Sequence, residues 1–304
     1  MGAGSHLRGQ VRQDELLSWG AEQLRDLPWR RTRDPWAVLV SEVMAQQTGV
    51  DRVVPCYEAF LARFPTPAAC AAAPVSTVLR LWSGMGYNRR AVNLHRCAVA
   101  LVDDHGGNVP DDIGALLALP GIGPYTARAV LAFAFERPVG VIDTNVGRVL
   151  ARWAGAPLGA AEAQAKADAL VPPEPERAWL WNQAVMELGA TVCRRRTPDC
   201  TRCPITDGCA WGMAGMPAPD PADGSAGVGN GQSPFEGSDR QGRGRMVDAL
   251  RVGPVVAGDL PTAMGWPDDP GRAARVAKGV VADGLAERDG DTFHLSGSFT
   301  LRMP

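Results

Sequence analysis

Four of the seven cysteines lie close together near residue 200 and have the spacing of metal ligands. They are Cys193, Cys200, Cys203 and Cys209, in the pattern C-x6-C-x2-C-x5-C. A reducing cytoplasm disfavours disulfides, whereas four thiolates can hold either a [4Fe-4S] cluster or a zinc ion. Because zinc sites favour two close pairs of ligands and only Cys200 and Cys203 form such a pair, we expect an iron–sulfur cluster.

A glycine-rich turn separates two segments that are predicted to be helical. It reads Leu119-Pro120-Gly121-Ile122-Gly123-Pro124 and is followed by an apolar helical pattern. Gly121 and Gly123 leave backbone N–H groups free at the start of the second helix, where a phosphate group binds well without base readout. Taken alone, the same pattern is also consistent with a plain turn between helices.

Asp143 follows this turn by about 20 residues, in the apolar segment Val141-Ile142-Asp143-Thr144-Asn145. An aspartate in this position favours capping of the helix that follows, because its side chain accepts hydrogen bonds from backbone N–H groups. A carboxylate held away from water beside a sugar also stabilises positive charge that develops during glycosidic bond cleavage. The two roles are compatible.

The composition indicates a folded chain and excludes a membrane protein. Of the 304 residues, 45% are apolar and 21% are charged, which permits a buried core. No apolar run reaches the roughly 18 residues of a membrane span, and no signal-peptide pattern is present, so we predict a soluble cytoplasmic protein. The net charge of −2 argues weakly against a nucleic-acid partner, because the segment 212–238 carries three acidic and no basic residues.

Together, the glycine-rich turn, the aspartate and the cysteine spacing resemble the endonuclease III superfamily of helix-hairpin-helix DNA glycosylases. Three further segments resemble its MutY branch, the adenine DNA glycosylases. These are Leu27-Pro28-Trp29-Arg30, the stretch from Ser41-Glu42 to Gln46-Gln47-Thr48, and Leu81-Trp82-Ser83-Gly84-Met85-Gly86-Tyr87. The resemblance covers 27–209. From the resemblance we expect no Nudix-like C-terminal domain of the kind that many members carry, because 239–304 is too short for it.

The resemblance implies a role for four residues at the reacting bond. Glu42 would protonate N7 of the leaving adenine, and Asp143 would stabilise the oxocarbenium ion or attack C1′. Tyr125 stands where related lyases carry a Schiff-base lysine, and this chain has only two lysines, Lys166 and Lys278. Tyr125 and Asn145 would hydrogen-bond around Asp143, so we expect base removal without efficient strand cleavage.

The resemblance also assigns residues that contact the base and the DNA. Those that match the adenine pocket are Leu27, Trp29, Arg30 and Glu187. Those that match the wedge inserted beside the flipped base are Gln47, Met85 and Tyr87. Phosphate contacts are expected from Gly121, Gly123, Arg89, Arg90 and Arg194–Arg196, and the hairpin carbonyls are expected to hold a monovalent cation. The sequence departs from the family at Asn88, where a second tyrosine is common.

From these patterns we predict an all-α, two-lobed glycosylase with a small α+β module at its C-terminus. Residues 1–32 and 140–213 form the iron–sulfur lobe, and 33–139 form a helical barrel with the hairpin. Residues 214–238 form a flexible, Gly- and Pro-rich linker. Residues 239–304 form a winged-helix-like module of three helices and a hairpin that turns at Asp289-Gly290.

The predicted activity is that of a monofunctional DNA glycosylase of base excision repair. Its substrate would be adenine mispaired with 8-oxoguanine or guanine in double-stranded DNA, and we expect a monomer associated with the nucleoid. Three alternatives remain open at this point. They are a thymine glycosylase acting on T·G mismatches, a bifunctional pyrimidine lyase, and a non-catalytic iron–sulfur DNA-binding protein.

Overall fold

The chain forms two compact units in a computed structural model that describes residues 3–226, 228 and 234–298, with side chains from Arg12 onward. The first unit comprises Met1–Arg33, Asp111–Ile113 and Gly123–Gly231. The second comprises Asp34–Pro110, Gly114–Ile122 and Gln232–Pro304. Parts of three predicted segments lie outside the described residues: 1–2 of the iron–sulfur lobe, 227 and 229–233 of the linker, and 299–304 of the C-terminal module.

Helices dominate both units, as the sequence predicts. In chain order they are α1 (Ala3–Gln23), α2 (Pro35–Ala45), α3 (Val50–Arg63), α4 (Pro67–Ala71), α5 (Val75–Leu81), α6 (Arg89–His105), α7 (Ile113–Ala118), α8 (Pro124–Phe133), α9 (Thr144–Ala154), α10 (Ala160–Leu170), α11 (Pro175–Thr191), α12 (Ala210–Met213), α13 (Asp239–Val252), α14 (Leu260–Met264) and α15 (Pro270–Ala282). Short 3₁₀ turns occur at Pro28–Arg30, Cys200–Arg202, Thr206–Gly208 and Ala257–Asp259. None of the described helices is both long and apolar enough to cross a membrane.

The core of the first unit forms where α1 and α9 pack against α11. Leu16 and Leu188 are fully buried there, and the Trp153 and Trp181 rings lie 6.3 Å apart. These large apolar side chains remove much surface from water, which is the main source of stabilisation. The packing fixes α9, the helix that begins just after Asp143.

The second unit is organised around α2. Asp34 caps this helix by accepting the Ala37 N–H at 2.8 Å, and Pro35 occupies its first turn. Trp36, Val40, Val43 and Met44 stand at the helical spacing of an amphipathic helix over 36–48. In the structure every residue from Trp36 to Met44 is buried, and the helix ends at Ala45. A helix that is apolar on most sides lies inside a core rather than at its surface.

The C-terminal part of the second unit contains the chain's only described sheet. Its three strands are β1 (Val255–Val256), β2 (Ala286–Asp289) and β3 (Thr292–Leu295), in the antiparallel order β1-β3-β2. The hairpin predicted at Asp289-Gly290 is present, with Asp289 opposite Thr292, and α13, α14 and α15 precede it. A winged-helix arrangement of these elements stays a prediction.

The segment predicted to be a flexible linker is partly ordered. Among its described residues, Asp220 accepts hydrogen bonds from the guanidinium of Arg152, whose side chain is 1% exposed. Ser225 is buried and accepts the Leu158 N–H at 3.1 Å. A buried guanidinium needs a counter-charge, and Asp220 supplies it. The Arg152–Asp220 ion pair and the Ser225–Leu158 hydrogen bond therefore order residues 214–226 within the first unit, which their composition does not predict.

Candidate active site and nucleic-acid interface

Glu42 lies one turn before the C-terminal end of α2 and is 8% exposed. Its neighbours along the helix are apolar, and the Ser41 hydroxyl is turned inward to donate to the Val38 carbonyl at 2.8 Å. A carboxyl group in such surroundings is partly removed from water, as a general acid requires. The sequence placed Glu42 on a helix correctly, whereas the near-complete burial of that helix is a property of the fold.

Arg90, at the start of α6, bonds to two earlier segments of the chain, one at 43–48 and one at 85–86. The residue is 9% exposed, and its guanidinium donates to the backbone at the end of α2 and to the turn that follows. The acceptors there are Val43 O at 3.0 Å, Met44 O at 2.8 Å, Gln46 O at 2.6 Å and Thr48 Oγ1 at 2.9 Å. It also donates to Met85 O at 3.4 Å and Gly86 O at 3.2 Å. Burial lowers the pKa of Arg90 to about 10, so the group stays charged at neutral pH.

These contacts correct the expectation that Arg90 binds phosphate. Its donors face backbone carbonyls inside the second unit, which leaves the guanidinium unavailable to a DNA backbone. Arg89, the adjacent residue, is 65% exposed and lies 3.5 Å from the Asp283 carboxylate. The sequence alone does not distinguish the two arginines, because helical periodicity identifies the buried face only when its packing partners are known.

Two residues predicted to wedge into DNA have unusual backbone geometry. Gln47 has φ of 56° and Tyr87 has φ of 46°, in the left-handed region that side chains other than glycine rarely adopt. Gln47 is exposed, and Tyr87 is 41% exposed. Such strain persists where the surrounding structure imposes it, and it concentrates at ligand-binding sites. Arg90 contacts both turns and supplies that restraint.

Met85 is placed differently from the other two predicted wedge residues. Its side chain is 1% exposed and belongs to the core of the second unit. A buried thioether fills space between apolar neighbours, and the structure does not present it at the surface as it does Gln47 and Tyr87. The prediction came from family resemblance at this position, which does not report burial.

The predicted hairpin joins α7 to α8. Gly121 has φ of +80°, and a Cβ at this position would lie 2.6 Å from the Cβ of Asn93, so only glycine fits without a shift of the backbone. Gly123 is the N-cap residue of α8, and Pro124 begins the helix. Tyr125 is the second residue of α8 and is half-buried. The start of α8 therefore has the backbone form that suits a phosphate group.

Asp143 is the N-cap residue of α9, as its sequence context predicted. Its Oδ1 accepts the N–H groups of Asn145 at 2.8 Å and Val146 at 2.7 Å. Its Oδ2 accepts from Asn145 Nδ2 at 2.9 Å. Burial raises the pKa of the Asp143 carboxyl above its ordinary value, against the three hydrogen bonds and the charge of Arg148, which lower it. The carboxylate is thus fixed in direction and half-buried.

Arg148 connects this carboxylate to the cysteine segment. One nitrogen of its guanidinium donates to Asn145 Oδ1 at 2.8 Å and to Gly189 O at 2.6 Å. Nε donates to Cys193 O at 2.7 Å. Asn145, which the resemblance placed beside Asp143, is therefore held on both sides. Sequence analysis missed Arg148, although its spacing of one helical turn from Thr144 was a usable signal.

The predicted pocket residues of the first unit include a buried ion pair. Glu187 is fully buried on α11, and its carboxylate accepts from Arg30 at 2.8 Å and from Arg25 at 2.5 Å. Arg30 also donates from Nε to Gln183 Oε1 at 2.7 Å. Leu27 is buried and Trp29 is half-buried, within and beside the 3₁₀ turn Pro28–Arg30. The structure thus brings Arg30 and Glu187 together and adds Arg25, which the sequence did not single out.

The four clustered cysteines all lie half-buried in the first unit. Cys193 follows α11, Cys200 begins a 3₁₀ turn and Cys203 caps its end, and Cys209 caps α12 by accepting the Gly212 N–H at 3.4 Å. Burial raises the pKa of the Cys203 thiol to about 12, and repulsion from the other three sulfur atoms adds to this effect. Four mutually interacting thiols at a site of this kind become thiolates only when a strong positive charge binds them.

Two arginine contacts surround the cysteines. Arg152 on α9 donates to Cys193 Sγ at 3.4 Å, to Arg194 O at 2.9 Å and to Arg195 O at 2.9 Å. The side chains of Arg194–Arg196 are exposed, as expected of a loop that meets a phosphate backbone. Across the residues described, no group of three or more His, Cys, Asp or Glu side chains is placed to hold a metal ion.

Comparisons with known proteins agree with this geometry. Residues 40–173 match the HhH-GPD family, described as a superfamily of base excision DNA repair proteins. The chain is 44% identical to an adenine DNA glycosylase of Mycolicibacterium smegmatis over 300 residues, covering 95% of this chain and 98% of that protein. It is 45% identical to an adenine DNA glycosylase of Mycobacterium tuberculosis over 291 residues, covering 92% of each.

The fold is also found among solved structures. A thermostable thymine-DNA glycosylase superposes with a TM-score of 0.64 at 28% identity, covering 69% of this chain and 99% of that one. The helical fold, the family match and the near full-length similarity to the mycobacterial proteins agree with one another. The chain belongs to the HhH-GPD superfamily of base excision DNA repair proteins and, within it, to the adenine DNA glycosylases.

Proposed function

We propose that the chain is a monofunctional glycosylase that hydrolyses the N-glycosidic bond of adenine mispaired with 8-oxoguanine or guanine in double-stranded DNA. The observation that carries the proposal is the half-buried Asp143 carboxylate, directed by three hydrogen bonds at the start of α9. Glycosidic cleavage needs such a carboxylate beside the sugar. We expect the protein to act as a monomer and, because its substrate is DNA, to associate with the nucleoid.

Glu42 is the proposed general acid. Adenine leaves poorly as an anion, so protonation of N7 weakens the bond between N9 and C1′. The burial of Glu42 at 8% exposure, beside Val43 and Met44 on α2, supports this role. After the base departs, Glu42 as a carboxylate accepts a proton from the attacking water.

Asp143 is the proposed partner of the sugar. As the glycosidic bond breaks, positive charge develops on C1′ and the ring oxygen, and the carboxylate stabilises it or bonds to C1′ transiently. Water then replaces the carboxylate and leaves an abasic site. Tyr125 and Asn145 position Asp143, and the Asn145 contacts with both Asp143 and Arg148 support this part of the proposal.

Strand cleavage by a lyase step is not expected. A lyase of this kind forms a Schiff base with a lysine at the position of Tyr125, and Lys166 and Lys278 lie on α10 and α15 instead. Base recognition is proposed for Leu27, Trp29, Arg30 and Glu187. The ion pair of Arg30 with the fully buried Glu187 supports a rigid, charged wall for that pocket.

DNA contacts are proposed at two kinds of place. Gly121, Gly123 and the exposed Arg194–Arg196 would bind phosphates, and the hairpin carbonyls would hold a monovalent cation. Gln47 and Tyr87 would fill the space that the flipped adenine leaves, and their strained, exposed backbone supports this assignment. Met85 would support Tyr87 from within the core.

The proposed cofactor is a [4Fe-4S] cluster bound by Cys193, Cys200, Cys203 and Cys209. Such a cluster would be held by four Cys thiolates, which is the number that this segment supplies. The mutual interaction of the four thiols and the N–H donors from Arg152 and Gly212 support this fit. When bound, the cluster would fix the basic loop 194–196, and no step of the hydrolysis is assigned to it.

One alternative activity has a specific observation in its favour. The similarity to a thermostable thymine-DNA glycosylase leaves release of thymine from a T·G mismatch as the second candidate. The higher identity to adenine DNA glycosylases over nearly the whole chain favours adenine. A bifunctional lyase would differ from both, because borohydride would trap its Schiff base on DNA.

The first prediction concerns the substrate and Glu42. Purified chain is incubated with duplexes containing A·8-oxoguanine, A·G, T·G or A·T, and alkali then reveals abasic sites. We expect cleavage after alkali at the adenine of the first two duplexes. Glu42→Gln, which cannot protonate the base, should lower the single-turnover rate by about a hundredfold or more.

The matched control is Glu58→Gln, since Glu58 is an exposed acid on α3 of the same unit. It should retain the wild-type rate. Release of thymine from T·G without release of adenine would replace the proposed substrate. Full activity of Glu42→Gln would remove Glu42 from the mechanism.

The second prediction concerns pH. Asp143 must be ionised to stabilise the cation, so the rate should rise with pH through the raised pKa of this carboxyl. The Asn145 side chain lowers that pKa by donating to Oδ2. Asn145→Ala should therefore move the acidic limb of the pH–rate profile to higher pH, by about one unit.

Asn108→Ala serves as the control, because Asn108 lies in an exposed loop after α6 and should leave the profile unchanged. A limb that stays in place or moves to lower pH in Asn145→Ala would show that Asp143 does not govern it. A uniform loss of rate at every pH would give the same conclusion.

The third prediction concerns the cluster. Anaerobically purified chain should contain about four iron atoms and four sulfides per molecule. Cys203→Ala should lose most of the iron, whereas Cys56→Ala, which removes a half-buried thiol from α3, should keep it. Stoichiometric zinc without iron in the wild type, or full iron in Cys203→Ala, would contradict the assignment.

A further inference from the structure

Arg251, at the C-terminal end of α13, joins the C-terminal part of the second unit to the helices that precede it. Its side chain is 9% exposed. Nε donates to Leu79 O at 3.0 Å, and a terminal nitrogen donates to Asn88 Oδ1 at 2.8 Å. In return, the Arg80 guanidinium donates to Arg251 O. A buried arginine with these partners is held in one orientation.

Asn88 directly follows Tyr87 in the chain. It occupies the N-cap position of α6, where an asparagine side chain ordinarily accepts a backbone N–H. Here its backbone is helical, with φ of −55°, and the side chain makes no capping bond. Its carbonyl oxygen accepts from Arg251 instead. Asn88 is 9% exposed, so this contact is shielded from water.

The contact lies directly beside the strained turn that carries Tyr87. Gly84, Gly86 and Tyr87 all have positive φ, at 79°, 68° and 46°. Trp82 Nε1 donates to Gly86 O at 3.2 Å, and the Arg90 guanidinium donates to the same oxygen. These bonds restrain the turn before Tyr87. The Arg251–Asn88 bond restrains it immediately after Tyr87.

We propose that the C-terminal module (residues 239–298) restrains the turn that carries Tyr87 through the Arg251–Asn88 hydrogen bond. We call this restraint the brace. Arg251 is a positioning residue, since it touches neither the base nor the sugar. The expected effect on adenine release rests on the proposed DNA glycosylase function, but the brace itself is a property of the protein without DNA.

The test measures the turn and the reaction separately. Hydrogen–deuterium exchange of the backbone amides in 83–90 is followed in the full chain without DNA, and single-turnover adenine release is followed on an A·G duplex. Arg251→Ala and Asn88→Ala should each raise exchange in this segment about tenfold and lower the rate about tenfold. The double variant should be no worse than either single one, because both remove the same bond.

Two variants control for a general loss of packing. Asn88→Asp keeps an acceptor for Arg251 and should retain wild-type exchange and rate. Ser76→Ala removes a different hydrogen bond to the C-terminal module, from Ser76 Oγ to Gly297 O at 3.1 Å, and should leave both readouts unchanged. If Arg251→Ala detaches the whole module, Asn88→Ala still tests the bond from the other side.

Unchanged exchange in Asn88→Ala, or additive effects in the double variant, would overturn the brace. Raised exchange with an unchanged rate would overturn its link to the reaction. A wild-type chain that releases no adenine would refute the proposed function, while the exchange data would still decide whether the brace exists.

Discussion

The second unit depends on one buried cation, the guanidinium of Arg90. The last carbonyl groups of any helix lack partners inside that helix, and two of those at the end of α2, Val43 O and Met44 O, accept from Arg90. The same group bonds to the turns that hold Gln47 and Tyr87. A planar fork of donors reaches acceptors in several directions at once, which a lysine ammonium does not. This chain has 29 arginines among its 31 basic residues, and the guanidinium of Arg90 makes several hydrogen bonds at once.

The first unit uses the same principle along α9. Asp143 caps the start of this helix, Arg148 follows one turn later, and Arg152 lies one turn beyond that. The two arginines bond to the backbone of 193–195 and so connect the proposed reactive carboxylate with the cysteine loop through one rigid element. Asp220 balances the charge of Arg152 and orders part of a segment whose composition indicates disorder. Charged groups therefore determine positions that apolar packing alone would leave loose.

Local patterns predicted those elements that local physics governs. Asp143 was predicted to cap a helix because the side-chain oxygens of an aspartate accept hydrogen bonds from the first backbone N–H groups of the helix that follows. The hairpin at Gly121 was predicted from its glycines, and the strand turn at Asp289-Gly290 from a preference of two adjacent residues. In each case the residues that decide the structure are neighbours in the chain.

Other features depend on residues far apart in the chain, and the sequence did not reveal them. Arg90 was expected at the DNA surface, but its six acceptors come from segments more than 40 residues apart or from the preceding turn, and only the fold brings these together. Met85 was assigned to the wedge, but it lies in the core. The Arg251–Asn88 bond joins residues 163 positions apart. Sequence periodicity identifies a face, whereas the partner of that face is a tertiary property.

Hydrogen exchange of Arg90→Lys tests most directly whether Arg90 fixes the turns that carry Gln47 and Tyr87. The Thr48 and Met85 amides bond to Ala45 O and Trp82 O, so each reports on one turn. A lysine keeps the charge but cannot reach all the acceptors, so both amides should exchange faster together, while amides of α8 in the first unit stay as protected as in the wild type. Unchanged exchange at both amides, or equal loss of protection throughout the second unit, would contradict the account.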